Sequence, residues 1–396
     1  MENKEKINQL LTRGVENIYP SVDFLKAKLE RGEKPVIYLG IDPTGPTLHL
    51  GHAIALKKLG EFQALGCKII LLIGDFTAMI GDPTDKKATR KQLTREEVLN
   101  NCKLYKKQAS VFLNFKGSNP AELKYNSKWL AKMNFEEVLS LASKMTVSQM
   151  LERDMFENRM KEGRPIFLHE FMYPLMQGYD SVAMDVDGEL CGNDQTFNAL
   201  VGRNLMKELK NKEKFVITMK LLTDNAGTKM GKTEGNMLAL IDDSNMMFGK
   251  VMSWEDSLMW NAFLLCTNVS EQEIEKMKEE IVGGKNPRDI KMRLAYEIVR
   301  IYYGDDKAEK AAKDFVNTFQ KKEIPDEIEE VNVTVGEMLV DILSAKELVK
   351  SKSDFRRLVE EGAVSIDGEK ISDFQIKIEK IPVVIKIGKK RFIKLV

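Results

Sequence analysis

The chain has 396 residues, 43% of them hydrophobic and 31% charged, with a formal net charge of +1. These values exclude a disordered chain and leave length enough for two or three domains with a sizeable core. A total charge near zero neither supports nor excludes a nucleic-acid partner, because local patches cancel in the sum.

The N-terminal stretch MENKEKINQLLTRGVENIY is charged and amphipathic, without the apolar centre of a signal peptide. Apolar runs such as IILLIG (69–74) are too short to span a bilayer. Cys67, Cys102, Cys191 and Cys266 lie far apart with no CxxC pair. That spacing argues against a zinc knuckle or a disulfide scaffold and suits a reducing compartment. A soluble, cytoplasmic protein is expected.

VIYLGI (36–41) and KIILLIGDF (68–76) read as strands buried on both faces, with the helix pattern GHAIALKKLGEFQALG between them. Such a βαβ unit implies a parallel sheet. Residues 115–180 read as a mostly helical, Met-rich insertion, whose composition fits a core or an oligomer interface. A helix beginning near Asp194 leads to a further strand of the same sheet, KFVITMKLL (214–222). Residues 245–322 read as successive helices, among them NPRDIKMRLAYEIVRIYYG, with proline in its first turn and glycine at its end. KKEIPDEIEEVN (321–332) is the linker candidate. Beyond it, two short helical patterns precede the β-like runs ISDFQIKI and IPVVIKIGKKRFIKLV.

Two of the three histidines, His49 and His52, stand in LHLGH at the junction between the first strand and its helix. In open parallel sheets ligands bind at such junctions. Gly51 allows close approach, and the N–H groups of a helix start together with imidazole donors suit a phosphate chain. Half a zinc site is the competing reading, but no Cys/His cluster completes it and His169 is isolated. A second loop, TKMGKTEGN (228–236), carries Lys229 and Lys232 among Gly227, Gly231 and Gly235. Its composition suits a mobile loop that closes ammonium groups over a polyphosphate, although surface lysines are more often only solvated.

HLGH after the first strand and KMGKT after the last resemble the paired HIGH and KMSKS motifs of class I aminoacyl-tRNA synthetases. YLGIDPTGPTLHLGH (38–52), MIGDPTDKKATR (79–90) and YPLMQGYDSVAMDVDGELCGNDQTFN (173–198) narrow the resemblance to the bacterial tyrosyl-tRNA synthetases. NPRDIKMRLAYEIV extends it into the helical region. SKSDFRRLVEEGAVSIDGEKISD is similar to an S4 RNA-binding domain. The resemblance implies an α/β fold in three parts. A Rossmann-like parallel-sheet catalytic domain (1–235) would carry the helical insertion (about 115–180), followed by an α-helical anticodon-binding-type domain (236–328) and a small α+β S4-like domain (333–396).

It also implies roles. Tyr38 and Asp180 would hold the phenolic hydroxyl of tyrosine, and Asp82, Tyr173 and Gln177 its ammonium. Gln195 would lie near the carboxylate and the α-phosphate. Gly192 and Asp194 would grip the ribose and adenine side, and Asp42 would lie in the phosphate-contacting loop. Thr44, His49, Gly51 and His52 would form the ATP-binding edge. Lys86, Arg90, Lys229, Lys232 and Thr233 would hold pyrophosphate or close the mobile loop. Leu39 and Ala55 replace polar residues that some members use near the ribose.

The expected substrates are L-tyrosine, ATP with Mg2+, and tRNA(Tyr), with no structural metal in the protein and a homodimer joined through the Met- and Leu-rich residues 130–160. The chemistry fits the inventory: a carboxylate with a pKa of roughly 3.5 or below needs no general base to attack the α-phosphate, only positioning and donors for the developing charge. Residues 331–396 hold 13 Lys and Arg against 10 Asp and Glu, clustered at Lys352, Arg356 and Arg357 and again at Lys389, Lys390 and Arg391, which suits phosphate contacts. Three other readings share parts of the pattern: a tryptophanyl-tRNA synthetase, a small nucleotidyltransferase, and a synthetase-derived RNA-binding protein without catalysis. Asp180 beside Tyr38, the S4-like tail and two intact motif loops favour the tyrosine enzyme.

Overall fold

VIYLGI and KIILLI form neighbouring parallel strands in a six-stranded sheet of the computed structural model, which describes residues 2–82, 93–223, 237–319, 328–346, 348–349, 351–388 and 391–396. In chain order the strands are β1 (Val15–Tyr19), β2 (Val36–Ile41), β3 (Lys68–Ile73), β4 (Glu122–Tyr125), β5 (Gly188–Gly192) and β6 (Phe215–Met219). Across the sheet the order is β1-β6-β5-β2-β3-β4. Strands β2 to β6 are parallel; β1 is an antiparallel edge on β6. Three strands add to the expected pattern: β1, too short and half exposed to carry a clear periodicity, β4, inside the segment expected to be helical, and β5, a five-residue run interrupted by a charge and bounded by glycines.

The crossover helix Leu50–Ala64 buries Ile54, Leu56, Leu59 and Phe62. Helices Leu168–Met184 and Thr196–Lys210 pack closely because Gly178 faces Gly202: a Cβ on Gly178 would lie 3.0 Å from the Gly202 nitrogen.

Chain contacts divide the protein into two units, Met1–Asp305 and Asp306–Val396. The helices Ser244–Met252, Met259–Cys266, Glu271–Val282 and Pro287–Tyr303, from the stretch expected as a helical domain (236–328), fall in the same unit as the sheet. One physical reason is Arg13. Its guanidinium donates to the carbonyls of Leu264 (3.1 Å) and Thr267 (3.0 Å), binding a helix end to the N-terminal segment.

The second unit holds helices Leu339–Ala345 and Lys352–Glu360 and a five-stranded sheet: β7 (Glu329–Val331), β8 (Val364–Ile366), β9 (Glu369–Lys370), β10 (Val383–Ile387) and β11 (Arg391–Leu395), in the order β7-β11-β10-β8-β9. Leu339, Leu343, Phe355, Val364, Ile385 and Leu395 lie in its core. IPVVIKIGKKRFIKLV supplies β10 and β11, whereas ISDFQIKI forms no strand beyond one bridge at Lys377. There the Asp373 carboxylate accepts from the Gln375 backbone N–H at 2.8 Å, turning the chain out of a ladder. The linker candidate contains β7, which buries Val331 and pairs Glu330 with Lys394 at 2.7 Å.

Candidate active site

In this sheet the strand order reverses between β2 and β5, so a crevice opens beyond their carboxyl ends. Tyr38 and Asp42 reach it from β2 and the loop after it, and Glu189 and Gly192 from β5. Helix Leu168–Met184 lines it with one face. Tyr173, Gln177, Asp180 and Ser181 fall at i, i+4, i+7 and i+8, the spacing that aligns side chains along a helix.

At the inner end Tyr38 and Asp180 are both buried. The Tyr38 hydroxyl lies 3.0 Å from the Ser181 Oγ. Asp180 accepts from the Trp129 indole N–H at 2.7 Å and from the Asn126 amide at 3.2 Å. Burial pushes the Asp180 carboxyl well above the usual carboxylate range, against the pull of those two donors. Burial also raises the Tyr38 phenol, helped by the charges of Glu189 and Asp180.

Next to this lies Asp42, whose two oxygens accept from the Thr77 hydroxyl (2.7 Å) and the Tyr173 hydroxyl (2.8 Å). Burial lifts its carboxyl to about 7, opposed by those two bonds and reinforced by Asp82 and Asp75. Gly74 makes the arrangement possible: a Cβ there would stand 1.9 Å from Asp42 Oδ1. Tyr173, expected at the substrate's ammonium, thus donates to the carboxylate expected in the phosphate loop and links the two.

The outer end is a chain of amides. Gln195 donates to Asp82 at 2.6 Å, Asn198 donates to Gln195 (2.9 Å) and to Gln177 (3.0 Å), and Gln177 donates to Glu189 at 3.1 Å. Arg153, from the insertion, places its guanidinium 3.9 Å from Asp82 and over the Phe197 ring. Five of the six residues expected to hold tyrosine (Tyr38, Asp82, Gln177, Asp180 and Gln195) and the sixth, Tyr173, belong to this one crevice.

The histidine pair sits on the adjoining helix start. His49 caps the helix, its Nδ1 accepting from the Gly51 N–H at 3.1 Å, and His52 Nδ1 accepts from the His49 N–H at 3.2 Å. With both Nδ1 atoms serving as acceptors, the neutral rings carry their protons on Nε2, as donors. A side chain on Gly51 would press the His49 ring, with its Cβ 3.0 Å from Cε1. The segment also meets the chain just beyond the lysine loop: Leu50 N–H donates to the Leu238 carbonyl (3.0 Å) and Leu240 N–H to the Leu48 carbonyl (2.9 Å). Thr44 is exposed, Asp194 and Gly192 are half-buried at the end of β5, and Leu39 and Ala55 are buried. Lys86, Arg90, Lys229, Lys232 and Thr233 lie outside the described residues.

A family model described as tRNA synthetases class I (W and Y) matches residues 30–320, and one described as the tyrosine–tRNA ligase SYY-like C-terminal domain matches residues 320–395. The chain belongs to the class I tRNA synthetases. It is 46% identical to the tyrosine–tRNA ligase of Carboxydothermus hydrogenoformans, over 98% of this chain and 97% of that one. With the tyrosine–tRNA ligase of Thermotoga maritima the identity is 45%, over 98% and 96%. A C-terminally truncated mitochondrial tyrosyl-tRNA synthetase of Coccidioides posadasii shares the fold with a TM-score of 0.64 at 27% identity, over 78% of this chain and 91% of that one.

As a class I synthetase the chain brings to its crevice several groups that sequence reasoning missed: Thr77, Asn126, Trp129, Arg153, Ser181, Glu189, Asn198 and Lys214. Most are ordinary polar residues with no spacing signal. Glu189 and Lys214 do carry one, each being a charge at the edge of an apolar strand run, GELCG and KFVITM. In the second unit Lys352, Arg356 and Arg357 are exposed but paired, with Asp341 (2.8 Å), Glu360 (3.1 Å) and Asp354 (2.9 Å). Lys389 and Lys390 lie outside the described residues.

Proposed function

We infer that the chain is a tyrosine–tRNA ligase. It joins the carboxylate of L-tyrosine to the α-phosphate of ATP, releases pyrophosphate, and passes the tyrosyl group to the 3′ end of tRNA(Tyr). The observation that supports the slot assignment is a chain of hydrogen bonds at the sheet's switch point, running from Tyr38 through Ser181, Lys214, Glu189, Gln177, Asn198 and Gln195 to Asp82, with buried Asp180 held separately by Trp129 and Asn126.

The slot orders one substrate end to end. Asp180 accepts the phenol proton, and Tyr38 stands beside it. Asp82 and the Gln177 carbonyl receive the ammonium. Gln195 then holds the carboxylate toward the phosphate. The attack needs no base, so the protein's work is positioning and charge stabilisation. His49 and His52 present Nε2–H donors and a helix start to the phosphates. Lys86, Arg90, Lys229, Lys232 and Thr233 take up the departing pyrophosphate.

Mg2+ would arrive with ATP, as the resemblance to tyrosyl-tRNA synthetases implies.

A homodimer is supported by exposed apolar side chains on the insertion, including Phe135 (77% exposed), Val147 (63%) and Leu168 (83%). The basic groups of the second unit are proposed to meet tRNA phosphates. Four free, buried cysteines suit a reducing cytoplasm.

Amino-acid-dependent ATP–pyrophosphate exchange, run with all twenty amino acids, tests the reading. Exchange with tyrosine far above the rest is expected. A preference for tryptophan, or exchange with none, would overturn it.

A further inference from the structure

Lys214 and Glu189 form an ion pair inside the sheet, both side chains almost wholly buried. Such a pair is a poor source of stability, since the desolvation of two charges offsets most of their attraction and an apolar pair often does as well. What sets this pair apart is what it touches.

The Lys214 ammonium has three protons and three acceptors: Glu189, the Ser181 Oγ at 2.7 Å and the Ala199 carbonyl at 3.3 Å. An ammonium only donates, so Ser181 accepts from it and can give its own proton to the Tyr38 oxygen 3.0 Å away. Glu189, which also hydrogen-bonds the Tyr38 hydroxyl, can only accept, so the pair fixes from both sides the hydroxyl that a bound phenol meets and a phenylalanine ring does not. On the other side Glu189 Oε1 accepts from the Gln177 amide nitrogen at 3.1 Å. That fixes the Gln177 amide with its oxygen turned to the opposite side, where Asn198 donates to it at 3.0 Å. Gln177 thereby offers a carbonyl oxygen, an acceptor suited to an ammonium. Gly202 makes room for the ammonium, since a Cβ there would lie 2.7 Å from Lys214 Nζ and 3.0 Å from Ser181 Oγ.

We propose that the buried Lys214–Glu189 pair positions both ends of the tyrosine slot at once, holding Tyr38 through Ser181 at the phenol end and Gln177 through Glu189 at the head-group end. The inference rests on the slot reading given above, and makes Lys214, Glu189 and Ser181 positioning residues.

The test is pyrophosphate exchange with tyrosine and with phenylalanine, alongside thermal unfolding. Ser181→Ala cuts only the phenol branch. It is expected to lower the tyrosine/phenylalanine ratio of kcat/KM about fivefold, the effect of one net hydrogen bond, with the phenylalanine value unchanged. Lys214→Met combined with Glu189→Gln removes both charges together, avoiding a lone buried ion. It is expected to lower the ratio similarly and also to raise KM for both amino acids, while KM for ATP stays constant. A ratio within about twofold of the wild type in folded Ser181→Ala protein would overturn the proposal, whether or not the double variant folds. Wild-type protein without tyrosine-dependent exchange would overturn the slot reading along with it.

Discussion

Asp180→Asn changes one oxygen to an NH2 group and keeps the shape, so its effect can be worked from the neighbours. Asp180 now accepts two protons from the protein, from Trp129 at 2.7 Å and from Asn126 at 3.2 Å. With one oxygen turned to Trp129, the new amide nitrogen would face the Asn126 nitrogen. Asn126 cannot turn over to relieve this: its oxygen accepts from the Phe76 N–H at 2.9 Å and its nitrogen also donates to Thr77 at 3.0 Å. A donor facing a donor in a buried site costs about 1–3 kcal/mol of stability. The substrate's phenol in turn loses one hydrogen-bond acceptor, about 0.5–1.5 kcal/mol of binding. At 1.4 kcal/mol per factor of ten this lowers kcat/KM for tyrosine roughly two- to tenfold. Phenylalanine, with no hydroxyl to place there, should be little affected, so the discrimination narrows by the same factor. Exchange assays with the two amino acids, with a melting curve for the stability term, measure both quantities. An unchanged ratio in the folded variant would move the hydroxyl pocket away from Asp180 and refute the reasoning.

Three further outcomes are expected. His49→Ala or Lys232→Ala should slow tyrosine activation by at least about tenfold, as for the loss of one transition-state donor, with tyrosine KM little changed; single-turnover kinetics check this, and a normal rate in either counts against the phosphate-edge assignment. Gly74→Ala forces Asp42 and Thr77 apart, since the new Cβ would stand 1.9 and 2.5 Å from their oxygens; a destabilisation of about 1–3 kcal/mol in urea unfolding follows, and wild-type stability would mean the carboxylate is not held there. Asp42, with its folded carboxyl raised to about 7 from 3.8, makes the native state bind a proton more tightly than the unfolded chain. Its contribution is full below about pH 4 and is lost as the pH rises toward 7, with a slope of at most about 1.4 kcal/mol per pH unit. The stability difference between wild type and Asp42→Asn measured from pH 4 to 8 should show that slope, and a difference independent of pH would exclude the raised carboxyl.

Much of the catalytic half is legible in the chain itself. Continuous apolar runs such as VIYLGI and KIILLI have one stable use in water, as strands covered on both faces, and a helix between them leaves a parallel pairing as the solution. The glycine and histidines at LHLGH lie next to each other in sequence, so the helix cap and the donor nitrogens of the proposed phosphate edge are set locally. The spacing of Tyr173, Gln177 and Asp180 likewise puts them on one helical face wherever that helix lies.

What the chain could not settle by itself is anything made by strands or side chains meeting from far apart. Strand β7 depends on β11, more than 60 residues on, because three charged and branched residues carry no periodicity of their own. Asn126, Trp129, Ser181 and Lys214 acquire their roles only where the sheet order brings β4, β5 and β6 around one helix. Hydrogen bonds and desolvation act over a few ångströms in space, irrespective of separation along the chain. Local pattern therefore determined β2, β3, β6, the helix after β2 and its histidine cap, and tertiary packing alone decided which buried charges face one another around the proposed slot.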